Sequence, residues 1–77
     1  MQNRIDPCAV TARLQQLSDL NGGPAAVARK CAIHVPTLEC WLSGRTLPGC
    51  RSLATLSKGL NVSIDWIVFG EEATHVH

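Results

Sequence analysis

Residues 24–44 constrain the fold of this chain most, because their apolar side chains recur where two short helices joined by a tight turn would pack together. Pro24 and Pro36 each suit the first turn of a helix. The small Ala28 lets two steeply crossing helices approach closely. The residues predicted to face inward are Val27, Ala28 and Cys31 in the first helix, Ile33 in the turn, and Leu38, Trp41 and Leu42 in the second.

A further helix is predicted before this pair. Asp6 can cap free backbone amides, and Pro7 fits the first helical position. The apolar residues that follow are spaced at i, i+4 and i+7, which forms one face of a helix: Val10, Leu14 and Leu17. The glycines after Asn21 end this helix, since glycine readily adopts the left-handed conformation of a helix C-terminus.

Two more helices are predicted after the pair. A loop over residues 45–49 leads to a fourth helix from about Cys50 to Leu60, with leucines spaced as a buried face. Ser63 caps a fifth helix that ends at Gly70. The whole pattern predicts a compact all-α fold of five helices. We expect one domain over residues 1–72 and a flexible tail over residues 73–77.

These features resemble the lambda-repressor-like helix-turn-helix family, which includes phage repressors, Cro proteins and xenobiotic-response-element-type bacterial regulators. The resemblance covers roughly residues 5–72, nearly the whole chain. It is carried by three matches: Ala28 between Val27 and Cys31; Leu38 and Trp41 followed by Ser43-Gly44; and Arg45, Pro48 and the run SLATLSKGLNVSIDWIVFGE at 52–71.

The resemblance implies that helices two and three form a helix-turn-helix and that helix three, at about 35–42, enters the major groove of double-stranded DNA. The base-contact candidates that it implies are His34, Val35, Pro36, Thr37, Glu39 and Cys40. The phosphate-contact candidates are Arg45, Thr46 and Arg51. A regulator of transcription, of the repressor or Cro type, is the function expected.

The base-contact set leaves two interpretations open, because only His34 and Thr37 are conventional donors. Glu39 can accept from cytosine N4, and Val35, Pro36 and the Thr37 methyl can pack on thymine methyls. On the first interpretation, the protein recognises its DNA site largely through apolar contacts and through the shape of the DNA. The alternative is a protein–protein interaction module, antirepressor-like, on a helix-turn-helix scaffold that binds DNA weakly or not at all.

Two positions depart from the family pattern. Many members have glycine, often with a positive φ, where Ala32 stands, so a left-handed alanine would cost about 1 kcal/mol. Many also join helix one to the end of helix three by an Arg–Glu ion pair, and Ser18 and Leu42 occupy the approximate positions here. Replacing both partners of a buried pair is often neutral.

The charge distribution favours nucleic acid more than the net charge of +1 does. Residues 24–60 contain five basic residues and one acid, Glu39, whereas the other acids lie outside this segment. A phosphate loop and a nucleophile–base–acid set are missing from the sequence, so no enzyme and no cofactor is expected.

The cysteines and histidines indicate a reducing compartment and no metal. The four cysteines lack a close C-x-x-C pair, the segment 1–6 is polar on the whole, and no apolar run reaches membrane-spanning length. We therefore expect free thiols and a cytoplasmic protein without membrane contact. His75 and His77 fit no structural zinc spacing.

Helix five, IDWIVF, is apolar on more than one face, and four short helices are not expected to bury all of it, which predicts a homodimer. The alternative is a core helix with one exposed aromatic side chain. The interface candidates are Trp66, Val68 and Phe69. A dimer would also match two-fold operators, whose half-sites lie about one helical turn apart.

Overall fold

The computed structural model describes residues 5–70, which form five α-helices and no strand. Their bounds are α1 (Pro7–Leu20), α2 (Pro24–Cys31), α3 (Val35–Leu42), α4 (Cys50–Leu60) and α5 (Ile64–Phe69). The predicted all-α fold of five helices is confirmed. The predicted tail over residues 73–77 lies outside the described residues, as do residues 1–4, 71 and 72 of the predicted domain. No helix within residues 5–70 has the length and apolarity needed to cross a lipid bilayer.

Short-range signals in the sequence start two of the helices as predicted. The backbone N–H of Cys8 donates to Asp6 Oδ1 at 3.1 Å, with Pro7 in the first turn of α1. The backbone N–H of Trp66 donates to Ser63 Oγ at 2.9 Å at the start of α5. Each cap satisfies an amide that has no partner inside its own helix.

The turn between α2 and α3 is closed by backbone hydrogen bonds and not by side chains. Ala32 has φ 57°, in the left-handed region, as the family pattern predicts. The N–H of Ile33 donates back to the carbonyl of Ala28 at 2.9 Å. This 6→1 bond is the Schellman motif, which redirects the chain within two residues. The same motif ends α3, where Gly44 has φ 84° and the N–H of Arg45 donates to the carbonyl of Cys40 at 3.0 Å.

One hydrophobic core receives a side chain from every helix. α1 packs against α2, α3 and α5, whereas α4 packs against α2 and α5. The largest fully buried side chains come from four different helices: Val27, Leu38, Leu56 and Ile67. Val10, Leu14 and Leu17 of α1 are buried among them, as their spacing predicts. The predicted core role of Trp41 is confirmed, because only 6% of it is exposed.

α2 and α4 approach each other so closely that only glycine fits at position 59. A Cβ added to Gly59 would lie 2.5 Å from Cys31 Sγ and 3.3 Å from Cys31 Cα. The sequence analysis did not single out Gly59, since a glycine inside a helix has no periodic signal of its own. Its role depends on a contact with a residue 28 positions earlier in the chain.

A side-chain amide joins α1 to α3 where many family members have an ion pair. Gln15 Nε2 donates to the carbonyl of Leu42, the last residue of α3, at 2.8 Å. Ser18 is buried, and its hydroxyl has no hydrogen-bond partner within residues 5–70. The link between the two helices is therefore kept by a neutral hydrogen bond to the backbone.

The left-handed Ala32 gives a first prediction. Ala32→Gly is expected to raise the free energy of unfolding by about 0.5–1 kcal/mol, because glycine avoids the left-handed penalty but loses more chain entropy on folding. Urea denaturation followed by tryptophan fluorescence measures the change. The matched control is Ala12→Gly on the exposed side of α1, which should lower stability by about 1 kcal/mol. A loss of stability in Ala32→Gly would contradict the left-handed turn.

The α2–α4 contact gives a second prediction, in which the change in stability has the opposite sign to the change in helix propensity. Gly59→Ala adds about 1 kcal/mol of helix propensity. We nevertheless expect a net loss of about 1–2 kcal/mol, because an overpacked contact costs more. In the Cys31→Ala background the same substitution should cost less, since the sulfur that it meets is gone. Equal costs of Gly59→Ala in both backgrounds would show that the two positions do not touch.

Candidate nucleic-acid interface

The outer face of α3 lies at the protein surface because its inner face is buried. Leu38 and Trp41 are 1% and 6% exposed, which fixes the rotation of the helix about its axis. The base-contact candidates that the structure leaves exposed are His34, Val35, Pro36, Thr37 and Glu39, and Cys40 is half-buried. All six thus lie on the accessible side of the helix-turn-helix. Their contacts with bases stay a prediction.

The loop after α3 folds back over the end of the helix and brings Arg45 beside it. The N–H groups of Arg45 and Thr46 both point to the Cys40 carbonyl, at 3.0 and 3.4 Å, and Ser43 Oγ donates to the same oxygen at 3.1 Å. A hollow of about 340 Å³ results on this surface. It is lined by Pro36, Glu39, Cys40, Ser43 and Arg45. Arg45, a phosphate-contact candidate, therefore lies on the same surface as three base-contact candidates: Pro36, Glu39 and Cys40.

The first turn of α4 offers positive charge of two kinds. The helix begins after Gly49, which has no side chain to cap the first amides, and no acid lies in the first turn. Arg51 is exposed in that turn. Free amides and the helix dipole both favour an anion at such a position. The buried Pro48 fixes the chain just before it.

The four cysteines differ in accessibility. Cys8 and Cys50 are exposed, Cys40 is half-buried and Cys31 is buried. Burial raises the pKa of the Cys31 thiol, although the positive charge of Lys30 opposes this effect. Cys31 is therefore a neutral packing residue. Among residues 5–70, no three His, Cys, Asp or Glu side chains form a group that could hold a metal ion. His75 and His77 lie outside the described residues.

The three dimer-interface candidates differ in exposure. Val68 is only 8% exposed and Ile67 is fully buried, since α1 and α4 both pack on α5. Val68 is therefore largely covered within the single chain, and its contact with a second chain stays a prediction. Trp66 is half-buried against the core, whereas Phe69 is 37% exposed.

Two residues near α5 were not predicted from the sequence. Leu20 is 73% exposed, and with Trp66 it lines a second hollow of about 260 Å³. The helical spacing after Leu17 would place Leu20 near the buried face. Instead, α1 ends at this residue and its side chain is exposed. Arg13 Nη1 donates to the carbonyl of Ile67 at 2.8 Å and so caps the end of α5. No local signal marks Arg13, since its partner lies 54 residues away.

Comparison with known proteins indicates the kind of protein to which this chain is similar. Over 59 residues the chain is 30% identical to an uncharacterized HTH-type transcriptional regulator of Haemophilus influenzae. This likeness supports a helix-turn-helix family. The alignment covers 77% of this chain but only 25% of the relative, so the chain spans about a quarter of that protein's length. No protein-family model matches the chain, and no solved structure matches it.

Proposed function

We propose that this chain is a sequence-specific DNA-binding regulator of transcription, of the lambda-repressor-like, repressor or Cro type. One observation carries the proposal: residues of the outer face of α3 and the basic residue Arg45 line the same hollow. An α-helix fits the major groove of B-DNA, and a cation beside it can bind the phosphates at the groove's edge. Likeness to a transcriptional regulator and the five-helix fold support the same function.

Phosphate contacts are assigned to the loop after α3 and to the start of α4. Arg45 and Thr46 are exposed in the loop, and Arg51 is exposed beside the uncapped amides of α4. Such contacts fix the register of the protein on the duplex and supply most of the sequence-independent affinity.

Base contacts are assigned to the outer face of α3. His34 and Thr37 donate or accept hydrogen bonds, and Val35 and Pro36 offer apolar surface to thymine methyls. Glu39 and Cys40 lie on the same face, one turn further along. With so few donors, the shape and deformability of the DNA supply the rest of the specificity.

The protein is proposed to act as a homodimer in the cytoplasm, without enzymatic activity or cofactor. Of the three interface candidates, Phe69 and the half-buried Trp66 are the more accessible, whereas Val68 is only 8% exposed. Two copies would place two α3 helices on a two-fold operator. Bound there, they would exclude or position RNA polymerase.

A second function, the interaction module, is favoured by one observation. The outer face of α3 carries an exposed apolar side chain, Val35, and an acid, Glu39, where strong DNA binders have donors. On this alternative, the hollow beside α3 binds a partner protein. Salt-dependent binding to DNA separates the two functions, because only phosphate contacts release counterions.

Charge reversal tests the phosphate assignment. A fluorescent random duplex, titrated between 50 and 200 mM salt, should bind and then weaken steeply, as expected for several phosphate contacts. Arg45→Glu and Arg51→Glu should each weaken binding to all sequences and make the negative slope of log K against log salt shallower by about one. Lys58→Glu in the last turn of α4 is the matched control and should change binding least.

Two results would contradict the assignment. If the unmodified chain binds no duplex even at about 50 mM salt, the interaction module replaces DNA binding as the function. If Arg45→Glu and Arg51→Glu bind as well as Lys58→Glu does, the phosphate contacts lie elsewhere.

Sedimentation equilibrium tests the dimer. At micromolar concentration, or on a two-fold duplex, the chain should sediment as a dimer, and Phe69→Glu should sediment as a monomer because a charge would be buried in the interface. The control, Ala25→Glu, changes an exposed residue of α2 and should remain dimeric. Finding only monomer with and without DNA would rule the dimer out.

A further inference from the structure

The hollow beside α3 has an unusual set of polar groups. Its apolar wall is formed by Pro36 and Cys40, and its polar groups belong to Glu39, Ser43 and Arg45. The Ser43 hydroxyl directs its proton to the Cys40 carbonyl at 3.1 Å, so toward the hollow it can only accept. The exposed Glu39 carboxylate accepts as well. Apart from Arg45, the hollow therefore offers acceptors beside an apolar surface.

This set of groups distinguishes among the four bases. In the major groove guanine presents two acceptors, thymine an acceptor and a methyl, and adenine an acceptor beside a donor. Each of these acceptors would face a carboxylate unfavourably. Cytosine alone presents a donor, the N4 amino group, with no acceptor, and its neighbouring C5–H is apolar. The edge of cytosine thus matches a carboxylate set against Pro36 and Cys40.

We propose that Glu39 is a specificity-determining residue, which accepts a hydrogen bond from the N4 amino group of a cytosine in the major groove. The C5 edge of that cytosine packs on the wall formed by Pro36 and Cys40. Arg45, on the same hollow, binds the adjacent phosphate and offsets the repulsion between that phosphate and Glu39. This inference rests on the proposed DNA-binding function and names the base that the site reads.

The competing role for Glu39 is simple repulsion. An exposed carboxylate near DNA weakens binding to every sequence, whether or not it reads a base. Removing the charge therefore strengthens binding to random DNA under both roles. Only a base contact makes the preferred sequence change with the side chain at position 39, so sequence preference is the measurement that separates them.

Selection from a random duplex pool, followed by sequencing, tests the proposal. The unmodified chain should enrich sites with one cytosine per half-site, preferred about tenfold over the other bases. Glu39→Gln, which keeps the shape of the side chain, should shift that position toward adenine, because an amide pairs with N6 and N7. Glu39→Ala should lose the preference at that position alone. Arg45→Ala, the control, should weaken all sites evenly and keep the cytosine.

Three results would overturn the inference, and they differ from one another. If Glu39→Gln and Glu39→Ala enrich the same sites as the unmodified chain and bind them more tightly, Glu39 only repels. If the chain binds duplexes in a salt-dependent way but enriches no cytosine, the site reads another base or none. In both cases the proposed function stands. If the chain binds no duplex at about 50 mM salt, the proposed function fails first.

Discussion

Burial of Leu38 and Trp41 decides which side of α3 meets solvent, and the candidate interface depends on that orientation. An eight-residue helix is not stable alone in water, so α3 exists because the core holds it. Fully burying a side chain such as Leu38 contributes about 1.5–3 kcal/mol, and rotating the helix would expose both anchors. The exposure of Pro36 and Glu39 is therefore a consequence of the core. The Gln15 hydrogen bond to the last carbonyl of α3 fixes the far end of the same helix.

The helix bounds could be predicted because the chain marks nearly every helix end locally. Asp6-Pro7 and Ser63 begin helices, and Gly22, Gly44 and Gly70 take the left-handed conformations that end them. Ala32 is the exception, since alanine has no preference for φ 57°. It was predicted only through the family resemblance, in which the fold requires a sharp reversal there. The exposed face of α3 was predictable for a similar reason, because helical periodicity specifies the buried face.

Contacts between distant segments could not be predicted, since no periodic pattern contains them. Gly59 fits against Cys31, and Arg13 caps α5, only after five helices have come together. Val68 was expected at a dimer interface because four short helices were not expected to cover all of α5. In the structure α1 and α4 both pack on α5, and Val68 is only 8% exposed. The hollow at Glu39 is local, because its lining residues all lie within residues 36–45, but helical periodicity does not contain it, since the Schellman turn at Gly44 returns Arg45 to the helix.

If the face of α3 binds DNA as proposed, the role of the acid Glu39 in it would be discrimination between sequences. A regulator must find its operator among a great excess of competing sites, so the ratio of specific to non-specific affinity matters more than either alone. A carboxylate lowers affinity for every phosphate backbone, and the loss is compensated only where a matching donor is present. In the proposed complex, Arg45 beside Glu39 would maintain the total affinity without contributing to that discrimination, because a phosphate contact is the same at every sequence. A net charge of +1, low for a nucleic-acid-binding protein, agrees with this division of roles.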